Sequence, residues 1–292
     1  MTTTKMITWQ NGNATIDLHS DGTRVIEYDG ELKLTSPLNI DIRVSERCSF
    51  GMKPNGQSIC SFCHESATTN GQDGDLTYLK DKLVGLPQGT ELAIGVNGFN
   101  DDLIDFFKFC KTQNWFVNIT VNQGHCYRDL DTILFLIDNQ IIHGLGISYR
   151  SGMKDIPEAL LEYTNTVIHV IAGIDDIQEI KKLHNIKKIL VLGEKDFGFN
   201  KGKVNLKNTS HVSWFRQLHE LFNLFDVVSF DNLALEQLKV KRFVKNWEEK
   251  YQHEFSFYIN AVKKYYSPSS RSFDQTPMDE TTPIGYFKQL FN

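Results

Sequence analysis

The chain has 292 residues, 40% hydrophobic and 23% charged, with 31 Lys and Arg against 36 Asp and Glu for a net charge of −5. That is enough apolar material for one large α/β domain with appendages, or two modest domains, at an ordinary soluble composition. It excludes a global basic footprint for nucleic acid, and no apolar run is long enough for a membrane-spanning helix.

The first 36 residues read as a β-meander, with strand-like segments over 7–10, 14–19, 23–28 and 31–34 separated by Asn11-Gly12, Asp21-Gly22 and Asp29-Gly30. Those pairs tolerate the positive φ of type I′ turns. Pro37 ends the meander. Short apolar runs then follow at 38–44, 92–96, 116–121, 144–148, 167–172, 188–192 and 227–230. Helix-like stretches over 76–85, 101–112, 129–138, 156–163, 175–184 and 210–224 alternate with them. Asp101, Asp129, Asp175 and Ser210 stand where N-caps are expected. Near-continuous apolar strands predict a parallel sheet covered on both faces, with right-handed crossovers.

A full eight-fold barrel takes about 250 residues, and only 37–231 are available here. The expected fold is therefore an α/β partial (βα)6 TIM-like open barrel. A β-meander extension (1–36) precedes it, and a C-terminal extension (232–292) follows, helical over 232–247, strand-like over 255–259 and loop-like over 267–271 and 275–283. Sites in such sheets gather at the C-terminal strand ends.

The first barrel strand leads directly to Cys48, with Cys60 and Cys63 following across the turn formers Gly51, Pro54, Asn55 and Gly56. The N-terminus lacks a signal peptide's apolar core, so a cytoplasmic setting with reduced thiols is expected rather than a disulfide framework. Four readings of the cysteines compete. Three thiolates suit an iron–sulfur cluster with one iron left open. Structural zinc wants a fourth ligand, and His64, adjacent to Cys63, is awkwardly placed to be one. Cys60-Ser61-Phe62-Cys63-His64 also fits the covalent-haem pattern, although that usually marks exported proteins. The last reading is three unremarkable thiols.

A cysteine followed by Cys-x-aromatic-Cys after the first strand of a partial barrel resembles the radical S-adenosylmethionine (radical SAM) superfamily. The gap before Cys60 is eleven residues where that family usually has three. Over the whole chain the resemblance is to short radical SAM proteins of bacteriophages. It implies a [4Fe–4S] cluster on Cys48, Cys60 and Cys63, with Phe62 at the family's aromatic position. It also implies an S-adenosylmethionine site. Gly95 and Asn97 would stand at the motif that holds the amino group, with Asn97 in place of the usual acid. Asn122 would belong to a Thr-Asn-Gly-like pattern after the third strand, and Ser148 and Arg150 would meet the carboxylate and ribose. Reductive cleavage of the cofactor would then give a 5′-deoxyadenosyl radical that takes hydrogen from a small-molecule or nucleotide substrate. Flavodoxin or ferredoxin would be the reductant, with no membrane and no extended nucleic-acid footprint. The rival is a non-catalytic zinc or iron–sulfur protein on a barrel scaffold.

Other residues carry weaker signals. His169 sits in an apolar strand, where a satisfied core role is the usual one. Glu194, Lys195 and Asp196 follow the sixth strand, either facing the mouth or forming a solvated turn. Cys110 reads as core, and Cys126 as either a substrate-side thiol or nothing.

Overall fold

A computed structural model describes residues 4–153, 155–245 and 255–291. Three antiparallel strands open the chain: β1 (Lys5–Asn11), β2 (Ala14–His19) and β3 (Arg24–Tyr28). The fourth segment expected at 31–34 is not a strand. Asn13 holds Lys33 through both backbone and side chain, and Asn11 Oδ1 accepts from the N–H groups of Thr35 and Ser36. Side-chain amides there replace a ladder.

The main sheet begins with β4 (Asn39–Arg43), and β5 (Arg47–Met52) lies beyond it. Then come α1 (Leu76–Leu83), β6 (Glu91–Val96), α2 (Asp101–Thr112), β7 (Phe116–Asn122), α3 (Leu130–Asp138), β8 (Gly144–Ser148) and α4 (Glu158–Glu162). The alternation ends with β9 (Thr166–Ile171), α5 (Ile177–Ile180), β10 (Lys188–Leu192), α6 (Thr209–Leu221), β11 (Val227–Phe230) and α7 (Asn232–Gln237). The C-terminal part holds β12 (Ser256–Asn260), β13 (Tyr265–Ser267), β14 (Thr276–Pro277) and α8 (Pro283–Phe291). Of these only β14 lies within a stretch that the sequence reads as loop, β13 and α8 overlapping such stretches by one residue each, and residues 246–247 of the expected helix lie outside the described residues. Asn100, Asp176 and Asn208 make the N-cap hydrogen bonds of α2, α5 and α6, a residue or two from the expected Asp101, Asp175 and Ser210.

Sheet order is β11-β10-β9-β8-β7-β6-β4-β12-β13-β14, with every pair from β11 to β12 parallel. This is a TIM-like α/β barrel left open, since β11 and β14 are its two edges. β12 extends the sheet beside β4, taking a place that the seven-strand expectation left empty.

Strands taken in sequence order with right-handed crossovers put all their helices on one face. Leu92, Ile94 and Val96 of β6, Val117, Ile119 and Val121 of β7, and Leu145 and Ile147 of β8 are buried on it. The alternate positions carry Glu91, Gly95, Asn118, Thr120, Asn122 and Ser148, which line a concave polar face. The strands therefore alternate, and only one face is covered by helices, against the expectation of two.

The meander plugs the N-terminal ends of these strands. Trp9 packs on Gly89, where a Cβ would come within 2.6 Å of the indole. Arg24 pairs with Glu91, which also accepts from Asn118, and the Ser20 and Asp21 carbonyls accept from Asn165 and Lys188. The C-terminal ends are left open.

Candidate functional site

The cysteine segment lies over that open end. Arg43, the last residue of β4, donates to the Glu65 carbonyl at 2.6 Å and pairs with its carboxylate at 3.0 Å, tying both ends of the segment together. Cys48 stands on β5. Cys60 and Cys63 share a turn, with Cys63 N–H donating to the Cys60 carbonyl at 3.0 Å. Cys60 N–H reaches Phe50 O, and Phe199 N–H reaches Cys63 O, so the turn is fastened to β5 and to the loop after β10.

All three thiols are half-buried. Burial raises the Cys60 thiol to about 11, opposed by Arg150 and assisted by the charges of Cys63 and Cys48. Burial and Cys63 likewise raise Cys48. Among the described residues, no group of three or more His, Cys, Asp and Glu side chains is already gathered tightly enough to hold a metal ion. His64 is engaged elsewhere: its Nε2 lies 3.1 Å from Glu65 Oε1 and 3.2 Å from Lys195 Nζ, and burial with Lys195 lowers its pKa. Glu65 also accepts from Tyr258 OH, so this network joins the cysteine segment to β10 and β12.

An open cavity of about 800 Å³ lies beside Cys48, between the cysteine segment and the N-terminal ends of α1 and α2. Asn97 and Arg128 line it. The Asn97 amide donates to the Arg47 carbonyl at 3.0 Å, which leaves its Oδ1 as an acceptor. Gly95, two residues earlier on β6, has no heavy atom within 4 Å of where a Cβ would be, so the concave face is clear above it.

Asn122, Ser148 and His169 are register neighbours across β7, β8 and β9. Asn122 Oδ1 accepts from Gly124 N–H, capping a short turn. His169 stands over Gly146, where a Cβ would meet its ring at 2.5 Å, and burial with Arg150 lowers its pKa to about 4, so it is neutral. Arg150 does not point freely at a ligand. Its Nη1 lies 3.3 Å from Asp175 Oδ2, its guanidinium lies 4.7 Å from the Phe62 ring centroid, and its Nε is buried with no partner among the described residues. Phe62 and Arg150, far apart in sequence, are thus brought together.

The remaining signals sort themselves. Glu194 does not face the mouth; it is buried, paired with His211 at 2.7 Å and held by Asn200. Cys126 and Cys110 are buried, both thiols raised by burial to about 12. One constellation escaped the sequence reading: Ser49 Oγ lies 2.8 Å from His125 Nε2, and the His125 ring stacks on Phe50 at 4.6 Å. No local spacing signals it, because residue 125 meets β5 only through the fold.

No family model matches the chain. No curated protein matches it either. Among solved structures, it is similar to a glycerophosphoryl diester phosphodiesterase from Parabacteroides distasonis ATCC 8503, at 12% identity and a TM-score of 0.31, over 79% of this chain and 75% of that one. At that score the likeness says nothing of this chain's activity. No family model and no curated protein supports the radical SAM resemblance, and the solved structure found is that of a phosphodiesterase, so the superfamily assignment is corrected. With it go the bacteriophage kinship and the 5′-deoxyadenosyl radical mechanism. No helix among the described residues is long and apolar enough to cross a membrane.

Proposed function

We propose that the open C-terminal end of the half-barrel is the active site of an enzyme acting on a small molecule, and that Cys48, Cys60 and Cys63 hold a metal centre there. The observation that carries this is the placement of three half-buried thiols on one segment at the open strand ends, Cys48 on β5 beside a cavity of about 800 Å³ and Cys60 and Cys63 on a turn that the Cys60 N–H to Phe50 carbonyl bond fastens to β5. Residues 53–57 between them are exposed and outside any helix or strand, so the turn can close on a metal as it binds.

The donor set favours an iron–sulfur cluster over zinc. Three thiolates satisfy a cubane with one open iron, whereas a closed tetrahedral zinc site needs a fourth protein ligand that His64, tied to Glu65 and Lys195, does not offer. When bound, such a cluster supplies Lewis acidity or one-electron transfer. The chain's own residues do the rest. Asn97 Oδ1 can accept from an ammonium group in the cavity. Arg150, anchored on Asp175, fixes Phe62 and with it the Cys60–Cys63 turn. The ligand we propose for the cavity is S-adenosylmethionine, with Asn97 Oδ1 accepting from its ammonium group.

The test is anaerobic reconstitution with ferrous iron and sulfide, followed by iron and sulfide analysis and S-adenosylmethionine titration. We expect one cluster per chain, and none when Cys48, Cys60 and Cys63 are all changed to Ala. Stoichiometric zinc with no iron uptake would sink the cluster, and a loaded protein that ignores S-adenosylmethionine would sink that ligand.

A further inference from the structure

Three cations line the cavity beside Cys48: Arg47, Lys80 and Arg128. Arg47 meets Asp73 through one contact, Nε to Oδ2 at 3.4 Å. Lys80 Nζ stands 5.8 Å from the centre of the Phe109 ring. Arg128 is held more firmly. Its Nε donates to Asp129 Oδ1 at 2.7 Å, and its Nη2 donates to Asp129 Oδ2 and, at 3.3 Å, to the Asn97 carbonyl. That grip takes one edge of the guanidinium. Nη1, with two N–H donors, makes no hydrogen bond among the described residues, and the side chain is 47% exposed.

Asn97, to which Arg128 is tethered, also carries the free acceptor Oδ1. A donor and an acceptor without partners therefore stand side by side on one cavity wall. The cavity's acids do not take Nη1. Asp73 is engaged by Ser45 and Arg47, Asp75 caps α1 and meets Lys264, and Asp105 meets Lys108. Asp102, in the first turn of α2, makes no side-chain bond among the described residues. Its charge favours a ligand that is positive as well as negative.

We infer that the cavity takes the head group of an α-amino acid, its carboxylate on Arg128 Nη1 and its ammonium on Asn97 Oδ1. The inference rests on this cavity being the ligand site of the mouth. It moves the carboxylate contact away from Arg150, whose guanidinium is turned to Asp175 and Phe62. A guanidinium already fixed by an internal carboxylate gains a charge-assisted bond to a second one with little further loss of freedom. S-adenosylmethionine and free methionine share this head group.

The test is calorimetric titration of the reduced full chain, with and without reconstituted cluster. The ligands are S-adenosylmethionine, its decarboxylated analogue (which keeps ammonium, sulfonium and nucleoside) and L-methionine. Wild type should prefer S-adenosylmethionine to the analogue by roughly tenfold or more. Arg128→Ala should shrink that preference roughly tenfold by weakening S-adenosylmethionine alone, and Arg128→Lys should restore part of it. Unchanged affinity for the analogue shows that the variant keeps its fold and its Asn97 contact. A preference as large in Arg128→Ala as in wild type overturns the Arg128 assignment and leaves S-adenosylmethionine as the ligand. Methionine binding that Arg128→Ala weakens, with no binding of S-adenosylmethionine, upholds the head-group site and removes that ligand. If none of the three binds either form, the site is overturned. Iron and sulfide analysis of the same samples reports on the metal centre separately.

Discussion

The two ends of the parallel strands are built on opposite principles. At the N-terminal end the meander closes the half-barrel with a buried indole on Gly89, a Glu91–Arg24 pair and backbone carbonyls that accept from Asn165 and Lys188. At the C-terminal end the side chains are polar, the thiols are half-buried, and about 800 Å³ stands open. The difference is a division of labour: one end carries stability, and the other keeps groups whose packing is incomplete and therefore available.

Removing Trp9 attacks that division with the largest expected effect. Trp9 is 6% exposed. Trp9→Ala should cost about 3–5 kcal/mol in urea denaturation, the usual loss for a buried large aromatic. Iron uptake by the variant that remains folded should match wild type. If folded Trp9→Ala failed to take up iron, the two ends would be coupled and the division would break.

Much of this arrangement was legible from residues alone. The alternation of strands and helices is local, because hydrophobic periodicity and turn pairs such as Asn11-Gly12 act within a few residues. The cysteine segment was legible because its spacing is local too. What escaped was set by distant partners. Strand β12 finds its place only by pairing with β4, more than 200 residues earlier. Asn11 and Asn13 suppress a fourth meander strand by taking its backbone bonds with their side chains. The family resemblance implies a ligand for Arg150, whereas the buried Asp175, after the next strand, pairs with it inside the protein.

Asp175 offers a mid-sized test at the open end. It is 2% exposed, and burial raises its carboxyl to about 6, despite Arg150 and the Ile171 N–H, which lower it. Its unfolded value is about 3.9. Between those values the native protein holds a proton that the unfolded chain releases, so this contribution to stability falls as pH rises through the window. Glu65 runs the other way and lower down. Burial pushes it up, but His64, Arg43 and Lys195 hold it at about 2, so its stabilisation is lost only as pH falls from about 4 towards that value. Asp175→Asn should remove a decline of roughly 2 kcal/mol between pH 4 and pH 6, read by urea denaturation at several pH values. An identical slope in wild type and variant would mean that Asp175 ionises as freely as in the unfolded chain.

The smallest effect sharpens the comparison most, because it concerns availability rather than stability. Phe62 lies between Cys60 and Cys63 and meets the Arg150 guanidinium at 4.7 Å. Such a contact contributes on the order of 1 kcal/mol when partly buried. Phe62→Leu keeps the apolar bulk and loses the ring face, so global stability should change by no more than about that amount. The turn itself should loosen, since its remaining ties are the backbone bonds from Cys60 to Phe50 and from Phe199 to Cys63 and the Lys203 bond to the Ser61 carbonyl. Alkylation of metal-free protein with iodoacetamide, followed residue by residue, should then speed up several-fold at Cys60 and Cys63. Cys48, placed on β5, should react at nearly its original rate. Equal rates at Cys60 and Cys63 in variant and wild type would mean that the Arg150–Phe62 contact holds nothing, and that the turn is positioned by its other hydrogen bonds.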